Sequence, residues 1–281
     1  QGMSMLCALS MDYVGSEGWY KKLKDFARQC DPHDAAGKQA RSRLAWLDIS
    51  LPQRKVDNLT ETIPAVFRLM TNKEVHLPPF SVTSALPSIM NGGKDFCEWS
   101  KTDELLARTL GPVVERMLGK AGIGLVQTAL GESAYEKGED RFRVLSRLTK
   151  AQNQSENNGI LEMLWVDIGL QAKLALGAGD MEYAQKLVAG MLQRAEREGA
   201  SRLCDSVRAF SCWLSLYENK TSRILSWMET APDETVEFCT LNRYLYLVRI
   251  YGYIALGRHT EALVLIRRMT LYADYAQRTY L

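Results

Sequence analysis

Few residues in this chain have the types and spacing that chemistry demands. Gly92-Gly93-Lys94 and Gly119-Lys120 carry the glycine–lysine pairs of a phosphate loop. That loop needs a first glycine separated from the Gly-Lys pair by four residues and a Ser or Thr directly after it, so that backbone amides cradle phosphate and the hydroxyl reaches the metal. Ser88 and Val114 stand where the first glycine belongs, and Asp95 and Ala121 replace the hydroxyl residue. Neither segment is a nucleotide site. His33, His76 and His259 lie dozens of residues apart and offer no metal cluster and no nucleophile–base pair. Cys7, Cys30, Cys97, Cys204, Cys212 and Cys239 are scattered without a CxxC pair and read as buried free thiols of a reducing compartment. Glu136, Glu139 and Asp140 crowd together, but at a turn, where solvated carboxylates are expected. The expectation is no enzyme, no cofactor and no metal.

Ligand contact is the remaining chemistry. Trp46, Trp165 and Trp213 fall in predicted helices, and an indole on an inner helical surface can stack on a sugar or another planar ligand. Core packing is the competing role at helical spacing. The run Lys94-Asp95-Phe96-Cys97-Glu98-Trp99 mixes charges with aromatics in an irregular stretch, supplying hydrogen bonds and a stacking face together, or simply bracing a break in the fold. The candidate ligand-contacting residues are therefore Asn91, Lys94, Asp95, Trp99 and Trp165.

The elements that position them repeat. Gly138, Gly179, Asn219 and Gly257 mark short turns that stand 41, 40 and 38 residues apart, each flanked by apolar-periodic segments. Leu161, Leu164, Ile168, Ala172 and Ala175 form one stripe before Gly179, answered by Ala184, Leu187, Val188, Met191 and Ala195 after it. Leu241, Leu245, Val248, Gly252 and Ala255 do the same before Gly257. Asn157-Asn158-Gly159, Glu198-Gly199 and Ala231-Pro232-Asp233 read as turns between units. Nearer the start, Val14-Gly15-Ser16 reads as a first hairpin turn with Trp19, Leu23 and Phe26 on the helix after it. Leu44, Leu47 and Leu51 end a helix at Pro52, and Leu59, Ile63, Val66 and Met70 form a stripe around Pro64. The rhythm fails at residues 72–100, where Leu77-Pro78-Pro79-Phe80, Leu86-Pro87 and Asn91-Gly92-Gly93 exclude helix interior; helical spacing resumes near Lys101. The predicted fold is all-α, a right-handed superhelix of antiparallel helix pairs with about seven hairpins. Residues 1–281 form a single TPR-like domain in this reading, a fragment of a longer protein.

Charge and hydropathy narrow the partners. The formal net charge of +2 gives no electrostatic footprint for nucleic acid, and the apolar runs are broken before they reach membrane-spanning length. A cytoplasmic protein without direct nucleic-acid or membrane contact is expected.

Two runs carry a family resemblance: Leu86-Pro-Ser-Ile-Met-Asn-Gly-Gly-Lys-Asp-Phe-Cys-Glu-Trp-Ser100 and Gly124-Leu-Val-Gln-Thr-Ala-Leu-Gly-Glu-Ser-Ala-Tyr-Glu-Lys-Gly138. With Ala231-Pro-Asp-Glu-Thr-Val-Glu-Phe-Cys-Thr-Leu-Asn-Arg-Tyr244 and Arg278-Thr-Tyr280, they resemble the helical-repeat region of MalT-like transcriptional regulators of the LuxR type. The resemblance implies the sensor module of a three-part switch, here without its ATPase and its helix-turn-helix. It also implies a small-molecule effector, with a sugar as a candidate, and partners among other domains or copies of the same regulator. The alternative is a TPR-like protein-interaction scaffold with no small-molecule ligand. Peptide-holding grooves tend to carry rows of Asn, Lys and Arg on successive first helices. Here those helices carry Gln127, Glu132, Asp167, Gln171 and Arg208, which ranks the scaffold second.

Overall fold

The computed structural model describes residues 1–31, 33–51, 53, 83, 85–89, 96–232 and 238–276. Among them every regular element is helical and no strand occurs. Two compact units are present. The first comprises Gln1–Pro78, Glu234–Leu241 and Thr270–Arg278, and the second Pro79–Asp233, Asn242–Met269 and Thr279–Leu281.

In the first unit, α1 (Gly2–Leu9), α2 (Tyr13–Gln29) and α3 (Ala35–Ser50) pack in sequence, each on the next. Their core is Ala8, Tyr20, Leu47 and Leu51, with Met5, Leu23 and Leu44 against it. Tyr20 donates its hydroxyl to Asp48 at 2.7 Å, and the buried Ser4 and Ser16 hydroxyls pair at 3.2 Å. The turn expected at Val14-Gly15-Ser16 lies instead at Ser10–Asp12. Met11 takes φ 64°, and the Met11 and Asp12 amides bond back to Ala8 and Cys7. Gly15 is inside α2, where Asp12 caps its amide at 2.9 Å and a Cβ would press on that carboxylate. Of the expected stripe only Leu23 packs on this core; Trp19 and Phe26 are exposed. The stripe around Pro64 lies outside the described residues, as do 72–82.

The second unit holds α4 (Phe96–Thr109), α5 (Gly111–Leu118), a 3₁₀ turn (Gly119–Gly122), α6 (Leu125–Glu136), α7 (Arg141–Asn158) and α8 (Leu161–Gly177). It continues with α9 (Met181–Arg197), α10 (Ser201–Tyr217), α11 (Thr221–Thr230), α12 (Arg243–Ala255) and the part of α13 (His259–Ala276) that runs to Met269. α4 begins at Phe96, so helix reaches five residues further back than the resumption expected near Lys101. Pro112 sits in the first turn of α5, where its missing N–H costs nothing.

The punctuation has one cause. At Gly138, Gly179, Gly199, Asn219 and Gly257 the backbone is left-handed, with φ between 53° and 80°. At each, the amide of that residue bonds to the carbonyl three before it, and the next amide bonds to the carbonyl five before itself. Examples are Gly179 to Leu176 and Asp180 to Ala175. This is the Schellman closure, which satisfies the last carbonyls of a helix and favours residues that tolerate positive φ. Met11 closes α1 in the same way. Asp140 and Asp180 then cap the following helices, so one short turn both ends and starts a helix. Gly199, expected between units, is the same stop as the other four.

From α6 through α12, α6–α7, α7–α8, α8–α9, α9–α10, α10–α11 and α11–α12 pack as neighbours. Helices two apart also touch: α4 with α6, α6 with α8, and α10 with α12. Trp165 of α8 reaches Phe210 of α10, with ring centroids 5.3 Å apart. The even-numbered helices therefore form a continuous row, and α8 at its middle buries Met163, Trp165, Val166 and Leu170 almost completely. Each such side chain contributes about 1.5–3 kcal/mol. No helix among the described residues is long and apolar enough to cross a membrane.

Candidate functional site

The row of α6, α8 and α10 carries a short piece of the chain's own backbone. Residues 85–89, from within the irregular stretch, lie against it. Ala85 joins the core cluster of Leu164, Trp165, Ile168 and Phe210, while Ile89 packs on the cluster of Ala134, Val144, Leu148, Val166 and Leu170. Leu86 and Pro87 are buried between them. Gly169 makes the approach possible, since a Cβ there would stand 3.1 Å from that of Pro87. Ala85 takes φ 63°, a conformation unusual for a residue with a side chain, which turns the segment onto the helices.

Glu132 of α6 fastens it. The carboxylate is 2% exposed and accepts hydrogen bonds from the Ser88 hydroxyl and, at 2.7 Å, from the Ile89 backbone N–H. A buried carboxylate that takes a main-chain amide and a neighbouring hydroxyl holds the backbone as well as a side chain. Charge-assisted bonds of this kind are about twice as strong as neutral ones. One turn back on the same helix, Thr128 donates to Asp167 Oδ1 of α8 at 2.8 Å. Asp167 has no exposed surface, and its Oδ2 has no hydrogen-bond partner among the described residues. Burial pushes its pKa up to about 8 against the smaller opposing effect of the Thr128 hydroxyl, so the group is largely protonated at neutral pH.

An aromatic ladder leads away from this core. Trp165 meets Phe210 edge-on, Phe210 meets Trp213 at 5.1 Å, and Trp213 meets Tyr217 at 5.0 Å. The rings pass from full burial at Trp165 and Phe210 to 58% exposure at Tyr217. The Trp165 indole N–H donates to the Ser206 hydroxyl at 3.0 Å. Cys212, on α10, is held up to about 12 by burial and is a poor nucleophile.

Of the residues expected to contact ligand, Asn91, Lys94 and Asp95 lie outside the described residues, and so does His76. Trp99 is placed in α4 by its backbone, its side chain lying outside what is described. Trp165 is a core residue, 0% exposed and spoken for at both its ring edge and its N–H. Of the ladder, it is Trp213 and Tyr217 that reach the surface. Cys204 and Cys212 are buried free thiols as expected, whereas Cys7, Cys30 and Cys239 are only partly buried. The residues that fasten the segment, Glu132 and Ser88, were not candidates. Their one signal is a Thr128/Glu132 pair at helical spacing on a helix that also carries apolar residues. Comparison with protein-family models, with curated proteins and with solved structures finds no match for the chain.

Proposed function

We propose that this chain is a recognition module of stacked helix pairs, a TPR-like array that serves as the effector-sensing and oligomerisation part of a MalT-like bacterial transcription regulator. The repeated Schellman stops and the row of even-numbered helices support the array. One observation carries the function: the row of α6 and α8 holds a non-helical segment, residues 85–89, fastened through Glu132. A surface that holds 85–89 in one state can exchange it for a ligand in another, provided the ligand binds the two states with different affinity. The segment is then the switch element, and effector occupancy decides whether it stays seated.

A metabolite screen on the intact protein by thermal shift, followed by hydrogen exchange of each stabilising compound's complex, tests this. A stabilising compound that alters exchange at 85–89 is the expected result. A broad library with no such compound, or stabilising compounds that leave 85–89 untouched, counts against the effector-sensing reading.

A second reading is a protein-interaction scaffold without a small-molecule ligand. It is favoured by the manner in which 85–89 is held, through a main-chain amide and apolar side chains, as a bound peptide would be. Recovery of a stable protein partner whose binding exposes 85–89, together with an empty metabolite screen, would select it.

A further inference from the structure

Three helices of the second unit line a cleft of about 460 Å³ that shares no residue with the face carrying 85–89. On α7, Arg143, Ser146, Arg147 and Lys150 follow offsets of one helical stripe, and all four line it. α4 adds Glu104 and Arg108, and α6 adds Gln127. Four cationic side chains thus face one carboxylate in the cleft wall, in a chain whose whole formal charge is only +2.

Glu104 shows what the cations are placed to hold. Its Oε1 accepts from Arg147 at 2.7 Å and from Arg143 at 2.9 Å, and Arg108 stands 3.8 Å from Oε2. Both close contacts are made through one guanidinium nitrogen to the same oxygen, so neither is a two-pronged fork. Arg143 has a second carboxylate in Glu139, at 3.0 Å outside the cleft lining. Lys150 has no ion pair among the described residues. The Arg147 side chain is 17% exposed, which limits screening by water and salt. α4 is itself held in place from the other side of Glu104: Asp103 accepts from Ser133 and, at 2.8 Å, from Lys137. Those two bonds leave Glu104 as the one acid among the residues that line the cleft.

We propose that this cleft binds a small phosphomonoester, gripped by Arg143, Arg147 and Lys150 with Arg108 at the rim. A single carboxylate is already present and leaves the cleft cationic, whereas a phosphomonoester brings a charge of about −2 and three acceptor oxygens. Planar guanidinium forks match those oxygens two at a time, and the volume suits a small metabolite. Glu104 is the internal competitor: it keeps the arginines ordered when the site is empty and gives up one of them when phosphate enters. The inference goes beyond the recognition-module reading and stands or falls by itself.

Calorimetric titration of the intact protein with glycerol 3-phosphate and with inorganic phosphate, at about 50 mM salt to limit screening, tests it, with glycerol as the uncharged control. Both phosphates bind and glycerol does not. Arg147→Gln weakens binding about tenfold or more, the loss expected when a charge-assisted fork is removed. Lys150→Gln, a substitution at an exposed position, weakens it about threefold, on the scale of an exposed ionic contact. Glu104→Gln strengthens it, because the competitor is gone, although a purely structural Glu104 would make the same change weaken it. Thermal melts of each variant separate lost binding from lost fold. No phosphate binding below about 10 mM, a dissociation constant worth under ~3 kcal/mol, overturns the proposal. So does binding that none of the three substitutions changes, weaker binding in Glu104→Gln, or duplex DNA bound more tightly than either phosphate through the same arginines.

Discussion

Replacing Asp167 by Asn changes the pH dependence of stability between pH 5 and pH 8. The carboxyl sits with no exposed surface between α6 and α8, bonded to Thr128 through one oxygen and to no described residue through the other. Its folded pKa is about 8, raised first by burial, against an ordinary value of 3.8 in the unfolded chain. An acid whose folded pKa lies above its unfolded value keeps a proton in the folded state that the unfolded state has released. Stability therefore falls as pH rises through the interval between the two values and levels off above the upper one. The slope in that interval is about 1.4 kcal/mol per pH unit, so the step from pH 5 to pH 8 costs on the order of 4 kcal/mol. That is a large part of a typical 5–15 kcal/mol total.

The window is chosen to isolate this group. Asp103, Glu104 and Glu261 are shifted the other way: their folded values lie below the ordinary carboxylate range, so they contribute stability above about pH 4 and lose it only in acid. For Asp103, burial raises the carboxyl, but the bonds from Lys137, Ser133 and the Glu104 amide together outweigh it. Urea unfolding of the wild type and of Asp167→Asn is followed at pH 5, 6, 7 and 8 by circular dichroism. The amide is neutral throughout and nearly the same shape. The difference between the two proteins grows in favour of the variant by about 1.4 kcal/mol per unit and levels off past pH 8. Parallel curves across the window would refute the assignment of a buried, protonated Asp167.

Other substitutions probe the same architecture. Glu132→Ala removes the acceptor for Ser88 and Ile89 and costs about 2 kcal/mol, seen as roughly thirtyfold faster hydrogen exchange at the Ile89 amide. Exchange at Ile89 that stays at the wild-type rate would show that apolar packing alone seats the segment. Trp165→Phe strands the Ser206 hydroxyl and leaves a small cavity beside Phe210, for a loss of about 2 kcal/mol by urea denaturation. Met11→Gly and Gly179→Ala move in opposite directions by about 1 kcal/mol each, since one relieves and the other creates a side chain at positive φ. Chemical denaturation of both variants checks the signs.

How much of this was legible in the sequence differs from residue to residue. The stops at Gly138, Gly179, Asn219 and Gly257 were legible because a Schellman closure is local chemistry: it needs positive φ, and Gly and Asn tolerate that. The stop at Met11 was not, because methionine carries no such preference. That turn is held where the Ser4–Ser16 pair and the Ala8–Tyr20 core bring α1 onto α2. Gly15 misled for the converse reason, since glycine also makes room for a capping carboxylate. The two-helix periodicity therefore survives wherever the terminator is local, and fails where tertiary packing imposes the turn.

The site follows the same division, with a different force deciding. Helical spacing puts Trp165 on a stripe, but whether that stripe faces ligand or core depends on α10, which supplies Phe210 and Ser206 from more than forty positions away. Glu132 and Asp167 look like the mixed polar residues of a solvated groove as long as each helix is taken singly. Asp167 loses its water to α6, and Glu132 to a segment whose anchoring residues precede it by 44 and 43 positions. Burying either acid without partners would cost several kcal/mol, so a fold that does so must bring a donor or a proton. Glu132 is given the donors, Ser88 and Ile89, whereas Asp167 keeps the proton. That contrast makes the 85–89 contact part of the folding of α6: if the segment leaves, Glu132 loses the donors Ser88 and Ile89. Solvent entering the α6 face, or a ligand that offers an N–H or O–H in the same place, can replace those donors when 85–89 departs. The hydrogen-exchange and Glu132→Ala experiments together distinguish these two routes, because only a replacing ligand protects the α6 amides while 85–89 opens.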